Sequence, residues 1–132
     1  MEDIKKILEV NIVGTVATVN EDGSPWATPV HVFADDNALY WFSKSTHQHS
    51  VNVEREPRVS LSLWAQANGT QGAYISGSVI KLSSEETADA LGIVVATIGA
   101  IPPYFEGTFG YKLNLGQSDP SKSSEKRWYF YS

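Results

Sequence analysis

The 132-residue chain contains 42% hydrophobic and 19% charged residues and has a formal net charge of −5. This length predicts one domain over residues 1–132 with a substantial core, and the composition excludes a disordered or fibrous chain. The acidic balance argues against nonspecific binding to nucleic acid or to an anionic membrane, because such surfaces need clustered lysine and arginine. There is no cysteine, which excludes disulfides and thiolate metal sites. With no leader-like or long apolar segment in view, we expect a cytoplasmic protein.

The first part of the chain predicts a short helix followed by a three-stranded meander. Residues 1–10 place apolar side chains at helical spacing behind an acidic pair, which indicates an amphipathic helix. Residues 12–19 are small or β-branched on both faces, as expected of a strand buried on both sides. A turn signal at residues 20–24 joins this strand to a second one over 25–33, and another turn leads to a third over 38–43.

The third strand leads into the most informative stretch of the sequence, residues 39–57. The aromatic strand opens into Ser, Lys, Ser and Thr at residues 43–46 and then into a short helix pattern that Pro57 ends. Hydroxyls, a lysine and free N–H groups would converge at the start of this helix, where the helix dipole favours negative charge. This arrangement predicts a phosphate site. The alternative is a solvated turn whose hydroxyls only cap the helix.

Two further strands are predicted in the middle of the chain. Residues 58–64 alternate cleanly, with Val59, Leu61 and Leu63 on one face. A turn signal at residues 68–69 precedes a strand over residues 73–82, whose small side chains would let another body approach closely.

The last part of the chain predicts one helix and two strands. Residues 83–86 fit a capping box that opens a helix, and Gly99 with the Pro-Pro pair at residues 102–103 should end it. The apolar stripe of this helix should lie in the core: Ala88, Leu91, Val95 and Ile98. Strands are expected over residues 108–115 and 126–132, on either side of a polar loop over 116–125. About seven strands with two or three short helices predict a mainly β (α+β) domain, and closely spaced antiparallel strands favour a barrel.

With these elements placed, the chain resembles the pyridoxamine 5′-phosphate oxidase-like, FMN-binding split-barrel family. The resemblance is best over residues 13–82, and the segment Asp-Gly-Ser-Pro-Trp-Ala-Thr-Pro-Val at residues 22–30 is similar to the family's second strand. Beyond residue 82 the resemblance is architectural. It implies an antiparallel split β-barrel with two or three short helices.

The phosphate-binding segment of this family is an aromatic strand ending in Thr or Ser, followed by Ser-x-Lys-x-x-Asn/Gln-Leu. Here Ser43 stands at the end of the strand, His47 at the Ser position and His49 at the Lys position. Residues 52–53 stand at the last pair, and residues 57–59 continue the match as Pro-Arg-Val.

The resemblance implies FMN bound at the interface of a homodimer. The flavin ring should lie along residues 26–30, with Trp41 and Phe42 nearby. The phosphate should meet Ser43, Lys44 and His49, with Thr28 and Ser45 as further candidates. For Trp26 and Trp41, packing in the core is an equally open alternative. The implied cofactor-binding residues are Trp26, Ala27, Thr28, Pro29, Val30, Trp41, Phe42, Ser43, Lys44, Ser45 and His49.

Two departures from the family pattern bear on function. Thr28 stands where the founding oxidases carry a phosphate-binding Arg, and His49 replaces their Lys, so the phosphate would meet less fixed positive charge. An unperturbed histidine titrates near about 6.5, which makes the charge at His49 conditional on pH. The founding oxidases also carry an Arg-x-His near the C-terminus that this sequence lacks, so true pyridoxamine 5′-phosphate oxidase activity is not expected.

The leading hypothesis is an FMN-dependent oxidoreductase that acts on a small molecule, with the hydride or electron chemistry supplied by the flavin. No catalytic residue is assigned, because the sequence has no nucleophile motif and no paired carboxylates in an apolar context. The alternative is a flavin- or haem-binding module of the same fold without turnover. The deazaflavin F420 fits poorly, because its anionic tail should need a basic groove. A metal site on His31, His47 and His49 is disfavoured, since histidines at i and i+2 share a face only on a strand.

Overall fold

The structure, a computed structural model, describes residues 12–65, 71–115 and 127–131. The helix predicted over residues 1–10, the turn at 68–69 and the loop over 116–125 lie outside these ranges. No helix within them is long and apolar enough to cross a membrane. The elements are β1 (Ile12–Val19), β2 (Pro25–Ala34), β3 (Ala38–Ser43), α1 (Gln48–Arg55), β4 (Arg58–Ala65), β5 (Gln71–Lys81), α2 (Ser84–Ile98), a short 3-10 helix (Pro103–Phe105), β6 (Phe109–Asn114) and β7 (Arg127–Tyr131).

Six antiparallel strands close into a barrel in the order β4-β1-β2-β3-β6-β5, because β4 and β5 also pair with each other. The seventh strand, β7, pairs with β5 outside this ring. The prediction of a mainly β, antiparallel split barrel with short helices is confirmed.

The barrel opens on one side of β2. This strand pairs with β1 from Pro25 to Val32 but with β3 only at Phe33 and Ala34. Among the described residues, the edge of β2 that faces β3 therefore has no strand partner over residues 25–30. An unpaired strand edge presents backbone N–H and C=O groups to whatever lies beside it.

The barrel interior is filled by large side chains from every strand of the ring. The predicted inward face of β4 is confirmed, since Val59, Leu61 and Leu63 are all buried. On β1, a Cβ atom at Gly14 would lie only 2.8 Å from Leu63 Cδ2. Glycine at that position therefore lets β1 pass close to β4.

The prediction that β1 is buried on both sides is wrong for this chain. Val16 is fully buried, but Val13 is 49% exposed and Val19 is 38% exposed. The reason is that β1 has the barrel core on one face only. The strand covered on both faces is β3, because α2 lies against its outer side, where Tyr40 packs in a cluster with Ala90.

Helix α2 begins and ends as predicted. The Ser83 hydroxyl accepts a hydrogen bond from the Glu86 N–H at 3.1 Å, and the Glu86 carboxylate accepts one from the Ser83 N–H at 3.0 Å. At the other end, Gly99 has φ 85°, a left-handed conformation that glycine adopts without strain.

The predicted core stripe of α2 is wrong by one residue. The buried side chains are Thr87, Ala90 and Val94, whereas Val95 is 42% and Ile98 is 38% exposed. One residue corresponds to about 100° of rotation about the helix axis. Tertiary contacts set this rotation, because the Thr87 hydroxyl accepts a hydrogen bond from the backbone of β6 at 2.9 Å.

Candidate functional site

A cleft of about 520 Å³ lies where β2 and β3 separate. Its walls come from β1, β2, the end of β3, the start of α1 and the 3-10 helix. The volume falls within the range of about 300–1,000 Å³ that is usual for small-molecule sites. The lining residues are Val13, Thr28, Pro29, Val30, His31, Phe42, Ser43, His47, His49, Tyr104 and Phe105.

One corner of this cleft is formed by Ser43, His49 and the start of α1. We name it the phosphate corner, after the ligand that the sequence predicts there. Ser43 Oγ lies 2.7 Å from His49 Nε2, and both side chains are buried. The turn between them is closed by a 3.1 Å hydrogen bond from the His47 N–H to the Lys44 carbonyl. These contacts hold two polar side chains at one end of the cleft.

The start of α1 is left without a side-chain cap. His47 occupies the N-cap position with an extended backbone and makes no side-chain capping hydrogen bond. In the structure, the hydroxyls of residues 43–46 therefore do not cap this helix, and the alternative of a merely capped turn does not apply. Because the first N–H groups of a helix have no intrahelical acceptor, this helix start offers donors and a favourable dipole to an anion.

Burial, followed by the nearby His47, lowers the pKa of His49 below its ordinary value of 6.5. His49 is therefore neutral at pH 7 in the ligand-free protein. A neutral imidazole has one donor and one acceptor nitrogen, so it can either donate to the Ser43 hydroxyl or accept from it. Lys44 is exposed and follows Ser43 directly, so along the sequence it is the fixed charge nearest to this pair.

Acidification should destabilise the ligand-free protein through His49. Since its pKa is lower in the folded protein than in the unfolded chain, the folded state takes up this proton less readily. The contribution to stability is complete above about pH 6.5 and is lost as pH falls through the folded pKa. Urea unfolding between about pH 7.5 and pH 5 should show this loss, and His49→Gln should reduce it. An equal loss of unfolding free energy in wild type and in His49→Gln would contradict this role of His49.

A hydrogen-bonded hub anchors α1 to the barrel. Asn52 is fully buried, and its Nδ2 donates to Thr18 Oγ1 at 3.0 Å and to Asn20 Oδ1 at 2.9 Å. Its Oδ1 accepts from Gln48 Nε2 at 2.8 Å. Asn52 stands at the Asn/Gln position of the family motif, and its hydrogen bonds fix the helix that carries His49.

The predicted site residues lie in three places in the structure: the barrel core, the exposed surface and the walls of the clefts. Trp41 faces the barrel core, where it is 1% exposed and stacks on Tyr111 with 6.4 Å between ring centroids. Trp26 is 44% exposed, and neither it nor Ala27 nor Ser45 is among the residues that line the cleft. The predicted residues that do line it are Thr28, Pro29, Val30, Phe42, Ser43 and His49.

Sequence reasoning assigned no role in this cleft to Val13, Tyr104 or Phe105 and considered His31 only as a metal ligand. His31 lies two residues after Pro29 on the same strand, so the alternation of β2 could have indicated it. Tyr104 follows the Pro-Pro pair at residues 102–103, which in the sequence indicates only the end of a helix. Its ring lies 6.3 Å from that of His31, and only the fold brings the two together.

All three histidines of the chain, at positions 31, 47 and 49, line this one cleft. In the described parts of the chain they do not form a group of three metal-ligating side chains with one another or with acidic residues.

A second cleft of about 600 Å³ adjoins the first. The two share Phe42, Ser43, His47 and Tyr104. The residues that belong only to the second are Lys44, Pro103, Glu106 and Thr108. Lys44, a predicted phosphate ligand, therefore lies beside the phosphate corner rather than within the first cleft.

A six-stranded barrel that opens along β2 defines the chain as a split-barrel protein. The family model described as "Pyridoxamine 5'-phosphate oxidase" matches residues 1–117. The chain belongs to this family, as its resemblance to the family motifs indicated. A search of curated proteins finds no match.

Solved structures of the same fold are named for different ligands. HutZ, the haem storage protein from Vibrio cholerae, is 16% identical with a TM-score of 0.72, and the match covers 89% of this chain and 90% of that one. An F420 reductase is 21% identical with a TM-score of 0.68, covering 83% and 90%. A haem binding protein from Mycobacterium smegmatis is 19% identical with a TM-score of 0.72, covering 99% of this chain and 57% of that one. At these identities the similarity establishes the fold alone.

Proposed function

We propose that the chain binds FMN in the first cleft and acts as an FMN-dependent oxidoreductase on a small molecule. The observation that carries this proposal is the phosphate corner, where the Ser43–His49 pair and the uncapped start of α1 meet at the end of β3. Membership of the family supports a flavin in this place. Bound flavin supplies the hydride or electron transfer, and the protein supplies binding, orientation and exclusion of water.

The flavin ring would lie along the open edge of β2. Backbone groups on this edge over residues 25–30 can pair with the polar edge of the ring, since β3 does not pair with them there. Opposite this edge, Phe42 and Phe105 stack with 5.3 Å between ring centroids and form an apolar wall. Such a wall keeps water away from a planar ligand.

We also propose that the chain forms a homodimer through the outer face of the barrel. A row of small side chains crosses four strands of this face, since Ala17 pairs with Ala27 and with Ser60, and Ser60 pairs with Ser76. Small side chains let two surfaces approach closely, and Tyr74 beside this row is 46% exposed. A second copy of the chain, placed by a two-fold axis, suits such a self-complementary face.

This face borders the first cleft. Val13 and His31 pair across β1 and β2 on the same face, and both also line the cleft with Pro29. A partner subunit seated on the face would therefore cover the cleft. We therefore place the cofactor at the interface of the homodimer.

Anaerobic reduction tests the oxidoreductase function. NADH or NADPH is added to the FMN-loaded protein without oxygen, and a series of quinones and nitroaromatics is then supplied as acceptors. We expect loss of the visible flavin absorption followed by its recovery with at least one acceptor. Reduction by dithionite but by neither nicotinamide would instead mean a flavin-binding module without this activity.

Haem is a second candidate ligand, favoured by the three histidines on the walls of the cleft. An imidazole nitrogen is a common axial ligand of haem iron. Titration with haemin separates the two candidates, because axial histidine ligation gives a sharp Soret band that a His31→Ala or His47→Ala variant would lose. A Soret band unaffected by any of the three histidine substitutions would remove this candidate.

A further inference from the structure

The histidines of the first cleft fall into two groups. The rings of His47 and His49 lie beside each other at the phosphate corner, with 5.7 Å between their centroids. His31 lies instead against Tyr104, with 6.3 Å between ring centroids, and pairs across the sheet with Val13. These last three residues all line the cleft, and we name this part of it the His31 end. The proposed binding of the flavin phosphate leaves the His31 end without a role.

The walls of the first cleft suit an uncharged, planar ligand. Among the described residues that line this cleft there is no aspartate, glutamate, lysine or arginine. At the His31 end, Val13 is 49% exposed and Tyr104 is 59% exposed, so both have surface to offer to a ligand. An ionic substrate would lose its water there without gaining a counter-charge from a fixed ion.

We propose that the His31 end binds the substrate, that the substrate is an uncharged quinone, and that His31 donates the proton that its reduction requires. This inference rests on the proposed function, because it takes the flavin ring to lie along the open edge of β2. His31 follows that edge directly and lies on the same face of β2 as Pro29. Two residues of a strand span about 7 Å, so a substrate at His31 would lie next to the ring.

The reduction of a quinone to a hydroquinone requires one hydride and one further proton. Bound reduced FMN, formed with NADH or NADPH, supplies the hydride and is oxidised. The protonated His31 ring releases its N–H proton to the second quinone oxygen, so an N–H bond breaks and an O–H bond forms. The neutral imidazole then takes up a proton from water. Histidine is the side chain that enzymes use most often for such a transfer.

Tyr104 is placed to hold the quinone ring beside His31. Its own ring is fixed edge-on by Phe105, with 4.8 Å between ring centroids, and Phe105 is buried. An aromatic ring supported in this way can stack on a planar ligand. The Tyr104 hydroxyl can also donate a hydrogen bond to a quinone oxygen.

Oxidation of the reduced, FMN-loaded protein tests the role of His31. The flavin is reduced with dithionite under anaerobic conditions and then mixed rapidly with naphthoquinone or with ferricyanide, which accepts electrons without protons. We expect His31→Gln to slow oxidation by naphthoquinone about 100-fold, within the range of general acid catalysis. Oxidation by ferricyanide should stay nearly unchanged, which also shows that the variant is folded and loaded with FMN.

Binding without turnover tests the place of the substrate. The oxidised FMN-loaded protein is titrated with naphthoquinone, and quenching of the flavin fluorescence is followed. Tyr104→Ala should weaken naphthoquinone about tenfold, since the stacking surface is lost. Ile80→Ala is the matched control, because it shortens an apolar side chain that is 51% exposed where β5 pairs with β6. It should change neither this affinity nor the two oxidation rates.

Three results would overturn the inference. One is a rate with naphthoquinone that is the same in wild type and His31→Gln. Another is equal slowing of both acceptors, because His31 would then support the flavin site and not the proton transfer. The third is an unchanged naphthoquinone affinity in Tyr104→Ala, which would place the substrate elsewhere. Failure of the proposed function has a different signature, since the protein would then bind no FMN and the inference would fall with it.

Discussion

A chain carrying Asn52→Leu should unfold with a free energy about 2–3 kcal/mol lower than that of the wild type. Leucine has the same number of side-chain heavy atoms as asparagine in the same branched arrangement, so the change tests hydrogen bonds more than side-chain shape. It removes the partner of the buried Thr18 hydroxyl and of the Asn20 carboxamide and replaces their common donor by methyl groups. A buried polar group without a partner costs more than the hydrogen bond itself contributes.

Urea unfolding of the ligand-free protein measures this effect, and Gln48→Ala is its control. Gln48 also belongs to the hub, but its side chain is exposed, so water can replace it and the expected loss is below about 1 kcal/mol. Similar losses for the two variants would mean that Asn52 is not the centre of the network. We further expect Asn52→Leu to weaken FMN, because α1 carries the phosphate corner.

Ser60→Arg should convert the protein from a dimer to a monomer and weaken FMN at least about 100-fold. Ser60 lies in the middle of the row of small side chains and is exposed in the isolated subunit. An arginine there faces water in the monomer, so the fold should persist. In a close dimer contact about a two-fold axis, two arginines would be buried near each other without partners.

Sedimentation velocity and FMN titration measure the two parts of this prediction. Ala88→Arg, an equally large change at an exposed position of α2, is the control and should leave both the dimer and FMN affinity intact. A Ser60→Arg protein that remains dimeric would place the interface elsewhere. A monomer that still binds FMN as tightly as wild type would mean that the cleft needs no partner subunit.

The strands of the barrel could be predicted because their side chains alternate. Val59, Leu61 and Leu63 on β4 fall at every second position with serines between them, and this spacing alone assigns the buried face. The rotation of α2 could not be predicted, because its sequence contains adjacent apolar stripes. The contact of Thr87 with β6 selects one of them, and this contact links residues far apart in the sequence.

The local part of the site was predictable and the distant part was not. Ser43 and His49 lie on one strand-turn-helix segment, so their spacing and residue types carry the signal. Tyr104 enters the cleft from the 3-10 helix more than fifty positions later. On β3 both faces are apolar, so the sequence could not decide that Trp41 faces the core while Phe42 lines the cleft.

The titration of His49 also depends on the fold. The residue type alone gives a pKa near about 6.5, and burial lowers it in the structure. In the proposed function, the positive charge that would meet the FMN phosphate at neutral pH is therefore that of Lys44, together with the helix dipole of α1.

Titration of FMN and riboflavin into wild type and Lys44→Ala tests the phosphate corner most directly, because the two ligands differ only in the phosphate. We expect wild type to bind FMN at least about 100-fold tighter than riboflavin, since charge-assisted hydrogen bonds are the strong ones. Lys44→Ala should reduce that preference about tenfold and leave riboflavin affinity unchanged. Equal affinities of wild type for FMN and riboflavin would contradict a phosphate site at Ser43, His49 and the start of α1.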